Sequence, residues 1–344
     1  SIDVGLKPDF VWIKQRNTTR NNLTFDSVRG ATKFAATNSS GTPGTLTQGL
    51  TSFDDNGFSI GTSNDVNQDN GTFVVWTWRA GGNKNTFNVD DVGYASAAAA
   101  GLTGGDITPV AASVGTKQGF SIIQYQGNGS TDQTIPHGLT QAPDFSIIKN
   151  VDGSSNWTVF HRSVTTTTQK VFYLNTTGAI ADYSGGDSTW WGTLPGASLF
   201  TIGATSTAIN NGTNDMISYH WHNVPGLQKF GIYEGNNNSD GPFVELGFRP
   251  SIIWMKNIDA SGNWIIYDNE RDKFNGATKI LLADTNGGGN ANDAFVGSYP
   301  TDFLSNGFKI RNTTGEINNS NTYIYCAWAE APTVDLFGGG ANAR

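Results

Sequence analysis

The phrase GLKPDFVWIKQR (Gly5 to Arg16) returns twice along this chain, as GLTQAPDFSIIKN from Gly138 and GFRPSIIWMKN from Gly247. Self-similarity at a fixed period restricts a fold more than any composition does, because each copy must solve the same packing problem. Six residues after Pro8, Pro143 and Pro250 stand Lys14, Lys149 and Lys256. Seventeen residues after the same prolines come Phe25-Asp26, Phe160-His161 and Tyr267-Asp268. Further on, NGFSIG (from Asn56), LFTIG (from Leu199) and NGFKIR (from Asn306) align, and each copy closes on an aromatic run ending at Trp78, Trp221 or Trp328.

These anchors divide the chain into units at 1–82, 117–225 and 226–332, a linker at 83–116 and a Gly-rich tail at 333–344. The second and third units carry an additional leading segment, GFSIIQYQGNGS (from Gly119) and KFGIYEGNNNS (from Lys229), where the first has only SIDV. The first unit is therefore expected to lack its leading strand. The chain starts in mid-pattern without an initiator Met, and is expected to be a piece of something longer. The linker, with its YASAAAAGL run, reads as an ordered strap or a flexible spacer.

The repeated runs are short, rich in Ile, Val and aromatics, and bounded by Pro or by Asn-Gly and Asp-Gly turns, a strand signature. WTVFHRS, WIIYDNE and LTFDSV alternate more cleanly, so one of their faces is expected to be wet. No amphipathic helix of three turns is legible. The expected class is all-β: three tandem β-sandwich, jelly-roll-like repeats.

Charged residues make up only 15% of the chain and the net charge is −8, which argues against a nucleic-acid partner. No apolar run reaches the length of a membrane span. The single cysteine, Cys326, cannot form an intramolecular disulfide and reads as a buried thiol. The recurring lysines read as solvated residues that blunt a sheet edge, and the closing tryptophans as core or inter-sheet packing.

For chemistry, His220 and His222 stand at i and i+2 and would share a strand face, so a metal pair is geometrically open to them. The other units place Thr77 and Arg79, or Ala327 and Ala329, there, so a structural role is the plainer reading and no metal or cofactor is expected. The acidic stretches FDDNG (from Phe53) and DTNGGGNAND (from Asp284) lack the spacing of a calcium loop. Paired carboxylates of the kind a glycosidase needs do not recur in a common frame. The composition suits carbohydrate binding, which needs an aromatic plate beside Asn, Asp or hydroxyl groups. YSGGDSTWWGTLPG offers it best, through Tyr183, Asp187, Trp190 and Trp191. The adjacent tryptophans point opposite ways on an extended segment, so one can pack inward while the other faces out.

The phrases GFSIIQYQGNGS, IPHGL, PDFSIIKN, WTVFH, GPFVELGFRPSIIWMKN, LSNGFKIR and YIYCAWAEAP together resemble a family of tandem domains in bacteriophage virion proteins, common in marine phages. The resemblance covers nearly all of 1–332. It implies a virion surface protein, a tail fibre or capsid-associated fibre, with sandwiches in the style of concanavalin A-like lectins. It carries over no catalytic or binding residue. The expected role is non-enzymatic: a spacer and weak multivalent adhesin toward host surface glycans, as a homo-oligomer among other virion proteins. A purely structural filament or decoration protein is the alternative within the same class, and a glycan depolymerase the alternative from another.

Overall fold

Each returning phrase forms the strand around which a sheet is built. The computed structural model describes residues 1–165, 169–182, 190–203, 206–286 and 299–332. The first stretch of chain gives β1 (Ile2–Asp3), β2 (Phe10–Gln15), β3 (Leu23–Asp26), β4 (Lys33–Ala36), β5 (Gly44–Thr45), β6 (Leu50–Asp54), β7 (Gly57–Ile60) and β8 (Phe73–Trp78), with a single helical turn α1 (Asn64–Asn67) before β8. Residues 83–116 contribute β9 (Phe87–Val89), β10 (Val92–Tyr94) and β11 (Ala111–Gly115). Then come β12 (Phe120–Gln126), β13 (Gln133–Pro136), β14 (Phe145–Asn150), β15 (Thr158–His161), β16 (Lys170–Tyr173), β17 (Ala181–Asp182), β18 (Leu199–Ile202) and β19 (Asp215–Trp221). The last set is β20 (Gln228–Glu234), β21 (Phe243–Glu245), β22 (Pro250–Asn257), β23 (Ile265–Asp268), β24 (Leu281–Leu282), β25 (Thr301–Leu304), β26 (Gly307–Ile310) and β27 (Thr322–Ala329).

The protein is all-β in layered sheets, and the strand order repeats. The large sheets run β8-β2-β3-β4-β5, β12-β19-β14-β15-β16-β17 and β20-β27-β22-β23-β24, and the small ones β1-β7-β6, β13-β18 and β21-β26-β25. The first large sheet begins at β8, with no strand in the place of β12 and β20 among the described residues. Its SIDV segment forms β1, the counterpart of β13 and β21, pairing with β7. Asn56-Gly57 and Asn306-Gly307 make the turns into β7 and β26, and their glycines serve a close approach. A Cβ on Gly57 would sit 1.9 Å from the Ile2 carbonyl oxygen, and one on Gly307 2.0 Å from that of Val244.

Residues 83–116 are strand-forming. β11 lies antiparallel to β12, and β9 parallel to β11, which extends the second large sheet. The buried Asp9 carboxylate fastens this extension to the first unit, accepting from the Ala80 and Gly82 amides at 2.7 and 3.1 Å and from the Ser113 hydroxyl at 3.1 Å.

The inner strands of the large sheets are dry on both faces, which corrects the expectation that β3, β15 and β23 would have one wet face: every residue in them is buried. One face packs under the small sheet of the same unit. Val11, Ile13 and Phe25 meet Phe58 in the first, Ile148 and Phe160 meet Phe200 in the second, and Ile253 and Met255 meet Phe308 in the third. The opposite face of all three packs into one common core containing Phe10, Trp12, Trp78, Phe145, Ile147, Trp221, Trp254 and Trp328. Because side chains alternate along a strand, a single run such as FVWIKQ serves its own sandwich with odd-numbered residues and the common core with even-numbered ones. This is why the repeated runs are continuously apolar.

Trp78, Trp221 and Trp328, the closing residues of the three units, meet one another. Their centroids are 6.5, 6.3 and 5.4 Å apart at interplanar angles of 70–73°, the edge-to-face arrangement that aromatic quadrupoles favour. The expected packing role holds, but the packing is between units and not between the sheets of one.

Candidate functional site

Even-numbered positions also bring Lys14 into the common interior, together with Lys149 and Lys256. All three are at most 1% exposed, which overturns their reading as solvated edge residues. Each ammonium donates to backbone carbonyls of its own unit and of one other. Lys14 Nζ reaches Asn286 O of the third unit at 3.3 Å, Lys149 Nζ reaches Ser40 O of the first at 3.1 Å, and Lys256 Nζ reaches Thr177 O of the second at 3.0 Å. Burial pulls each lysine down to about 8. The same cyclic order governs the neighbouring position. Trp157 Nε1 donates to Ala36 O, Trp264 Nε1 to Tyr173 O, and the first unit's counterpart, Asn22, donates through Nδ2 to Leu282 O and Thr285 O.

A third ring explains the Asp26, His161 and Asp268 substitution. Asp26 pairs with Arg29 at 2.5 Å and accepts from Tyr219 Oη at 2.8 Å; Asp268 pairs with Arg271 at 2.5 Å and accepts from Trp76 Nε1 at 3.2 Å. The second unit has His161 and Val164 instead of the acid and the arginine, and the residue equivalent to Tyr219 and Trp76 is Cys326. His161 is fully buried beside the Tyr325 backbone, and burial lowers it to about 4. A buried carboxylate needs its cation and donors; where the acid is absent, all three partners change together. Cys326 is a buried free thiol pushed well up by burial, a packing group.

Of the histidine pair, His220 has both ring nitrogens engaged by protein groups, and His222 has one. His220 is buried, its Nδ1 and Nε2 each 2.9 Å from the hydroxyls of Ser146 and Ser218, and His222 Nδ1 lies 2.8 Å from the Asn223 carbonyl. Among the described residues no group of three or more His, Cys, Asp or Glu side chains is placed to hold a metal. The stretch from Asp284 is described only to Asn286, and Tyr183, Asp187 and the tail 333–344 lie outside the described residues.

Trp190 and Trp191 part company. Trp191 is fully buried in the second sandwich, edge to face with Phe160 and Phe200, and its Nε1 donates to Lys170 O at 2.8 Å. Trp190 is half-buried and stands edge to face with Tyr173, centroids 6.4 Å apart. These two rings border a cleft of about 310 Å³ whose other walls are Ser40, Ser154, Ser155, Asn156, Ser206 and Thr207. Lys149 braces its floor by holding the Ser40 and Ser155 carbonyls together, and the Ser155 amide donates to Ser40 O at 2.8 Å. The hydroxyl of Ser155 is buried and has no protein partner, so the polar groups the cleft presents are those of Ser40, Ser154, Asn156, Ser206 and Thr207.

The sequence singles out the tryptophans but not Tyr173 or the Ser154–Asn156 loop, because one more Ser-Asn turn carries no mark in a chain so rich in them. A second cleft, about 300 Å³, lies between Arg29, Lys33, Gln124, Asp152 and Asp215 and has no aromatic wall. Its acids are engaged, Asp215 with the Gln124 amide and Asp152 with the Asp215 backbone amide. Asp284, raised to about 6 by burial, lines neither cleft and accepts from the Trp264 amide.

Fold and sites together define a β-sandwich assembly with a shared aromatic interior and shallow polar clefts. The chain belongs to the family of a domain of unknown function, DUF7483, whose model matches residues 1–332. Neither the comparison with curated proteins nor that with solved structures gives a match.

Proposed function

We propose that this chain is a non-enzymatic virion surface protein, part of a tail fibre or capsid-associated fibre, that serves as a stiff spacer and a weak multivalent adhesin for host surface glycans. The observation that carries the binding part is the Trp190 cleft, in which an aromatic rim stands over Ser, Thr and Asn groups. Sugars offer apolar C–H faces and rings of hydroxyls, and this combination of ring edge and short polar groups complements both. One shallow cleft supplies little affinity, so useful adhesion comes from many copies in a homo-oligomer among other virion proteins. The interlocked units and buried lysines favour a rigid spacer. The resemblance to tandem virion domains supplies the setting on the particle surface.

The test is a glycan array and titration calorimetry with host polysaccharide, comparing the protein with W190A. Saturable binding that W190A weakens at an unchanged melting temperature supports the reading; a blank array with intact assemblies leaves the spacer without adhesion. New reducing ends released from the polysaccharide, and lost when one Asp or Glu is changed, would replace it with a depolymerase.

A further inference from the structure

The Trp190 cleft occupies a place that recurs in all three units, and the units fill it differently. Two repeated elements meet there. One is the loop reached by the buried lysines: Lys14, Lys149 and Lys256 donate through Nζ to the carbonyls of Arg20, Ser155 and Gly262, each twelve residues after the repeated proline. The other is a tight turn before the closing strand. Val66 and Asn67 donate their amides to Ser63 O, Ile209 and Asn210 to Ser206 O, and Ile317 and Asn318 to Thr314 O. Asp65, Ala208 and Glu316 therefore hold one equivalent position.

In two units an acid at this position reaches the loop. Asp65 pairs with Arg20 Nη1 at 3.0 Å in the first. In the third, Glu316 accepts from the Asn263 amide at 2.8 Å and from Asn263 Nδ2 at 3.3 Å. Gly262 makes room for it, since a Cβ there would lie 3.1 Å from Glu316 Oε2. The second unit keeps Asn156 where the third has Asn263, but Ala208 carries no group that could bridge turn and loop. The rim changes with it. Tyr173 lies opposite Thr158, where Ala36 faces Leu23 and Leu282 faces Ile265, so this unit alone has an aromatic at that point. The first unit completes the cleft with Ser40, whose carbonyl is fixed by Lys149 and by the Ser155 amide.

The geometry points to an uncharged sugar residue, a neutral hexose or N-acetylhexosamine, as the ligand of this cleft, with its apolar face against Ala208 and the Tyr173 and Trp190 rings. This rests on the adhesin reading above and narrows it. Charge excludes the acidic sugars. No Lys or Arg lines the cleft among the described residues. Lys149, beneath the floor, is fully buried and its ammonium faces the Ser40 and Ser155 carbonyls. The stretches 183–189 (YSGGDST) and 204–205 contain no cation, and their one charged residue is Asp187. A uronate or sialate entering here would lose hydration with no cation to replace it. The hydroxyl and amide groups of Ser40, Ser154, Asn156, Ser206 and Thr207 serve sugar hydroxyls instead. At about 310 Å³ the cleft stands at the lower end of ligand pockets, about 300–1,000 Å³, which suits one or two sugar residues.

The test titrates the full chain with neutral oligosaccharides of glucose, mannose, galactose and N-acetylglucosamine, and with oligomers of glucuronate and of sialate. Expected is saturable binding confined to a neutral series, changed less than about twofold between about 0.05 and 0.5 M salt. S155G/A208E installs the third unit's acid beside Asn156 and should abolish binding at an unchanged melting temperature. Y173L, copying Leu282, should weaken binding about tenfold whether or not the double variant folds. Binding of the acidic oligomers alone, weakened by W190A, overturns the neutral assignment while the adhesin reading stands. Neutral binding that Y173L and a folded S155G/A208E leave intact puts the sugar elsewhere and overturns it too. No binding of any of these probes overturns the assignment together with the adhesin reading on which it rests.

Discussion

Trp78 and Trp221, the closing residues of the first two units, stand edge to face with centroids 6.5 Å apart, and both touch Trp328 of the third. Each sandwich therefore borrows half of its large sheet's burial from the other two. No unit's inner sheet is dry without its neighbours.

Trp78→Ala should cost about 3–5 kcal/mol, the usual range for removing a buried Trp. Because the cavity opens onto all three units, calorimetry should give one endotherm displaced as a whole. Three separable transitions, with only one displaced, would mean that the units melt independently of the common core.

Lys149→Met keeps the apolar stem and removes the donor to Ser40 O and Ser155 O. The buried bond to the Ser155 carbonyl is lost, at about 1–3 kcal/mol, while the Ser40 carbonyl keeps the Ser155 amide. Chemical denaturation should place the loss there, whereas Lys84→Met, at an exposed position, should stay within about 0.5 kcal/mol. Equal effects at the two sites would remove Lys149 from any bracing role.

Stability should fall in mild acid. His137 and His161 are both lowered to about 4 by burial, and His220 is lowered as well. In the unfolded chain these rings take a proton near pH 6.5. Their contribution is complete above that pH and is lost as pH falls toward 4, because the unfolded state then binds more protons. The gap between folded and unfolded chain means that His137 and His161 each stand to lose on the order of 3 kcal/mol. Melting temperatures measured from pH 7 to pH 4 should drop steadily, and His161→Asn should flatten the slope. A flat profile would mean that the rings are solvated.

The two adjacent tryptophans should separate cleanly. Trp191→Ala should lower stability by about 3–5 kcal/mol, since it empties the space between Phe160 and Phe200. Trp190→Ala, at the cleft rim, should leave the denaturation midpoint nearly in place. Similar destabilisation by both would show that Trp190 is a core residue and no rim.

Much of the architecture could be read along the chain because strands are local. Pro8, Pro143 and Pro250 open equivalent strands, Asn-Gly pairs turn them, and the equal spacing to Lys and Trp announces the common pattern. Trp190 and Trp191 could be picked out as a pair, but which of them lay inward depended on Phe160 and Phe200.

What the chain order could not convey is what lies across from each residue. Tyr219 reaches Asp26 across 193 positions, and Trp76 reaches Asp268 across 192. A lysine at a strand end is normally solvated, and nothing local reveals that carbonyls from another unit surround Lys14, Lys149 and Lys256. Period and turn chemistry, which act between near neighbours, determined the strands and their order. Closure of the three sheets on a shared interior, which acts between residues far apart, decided that both faces of the inner strands are dry and that the lysines are braces.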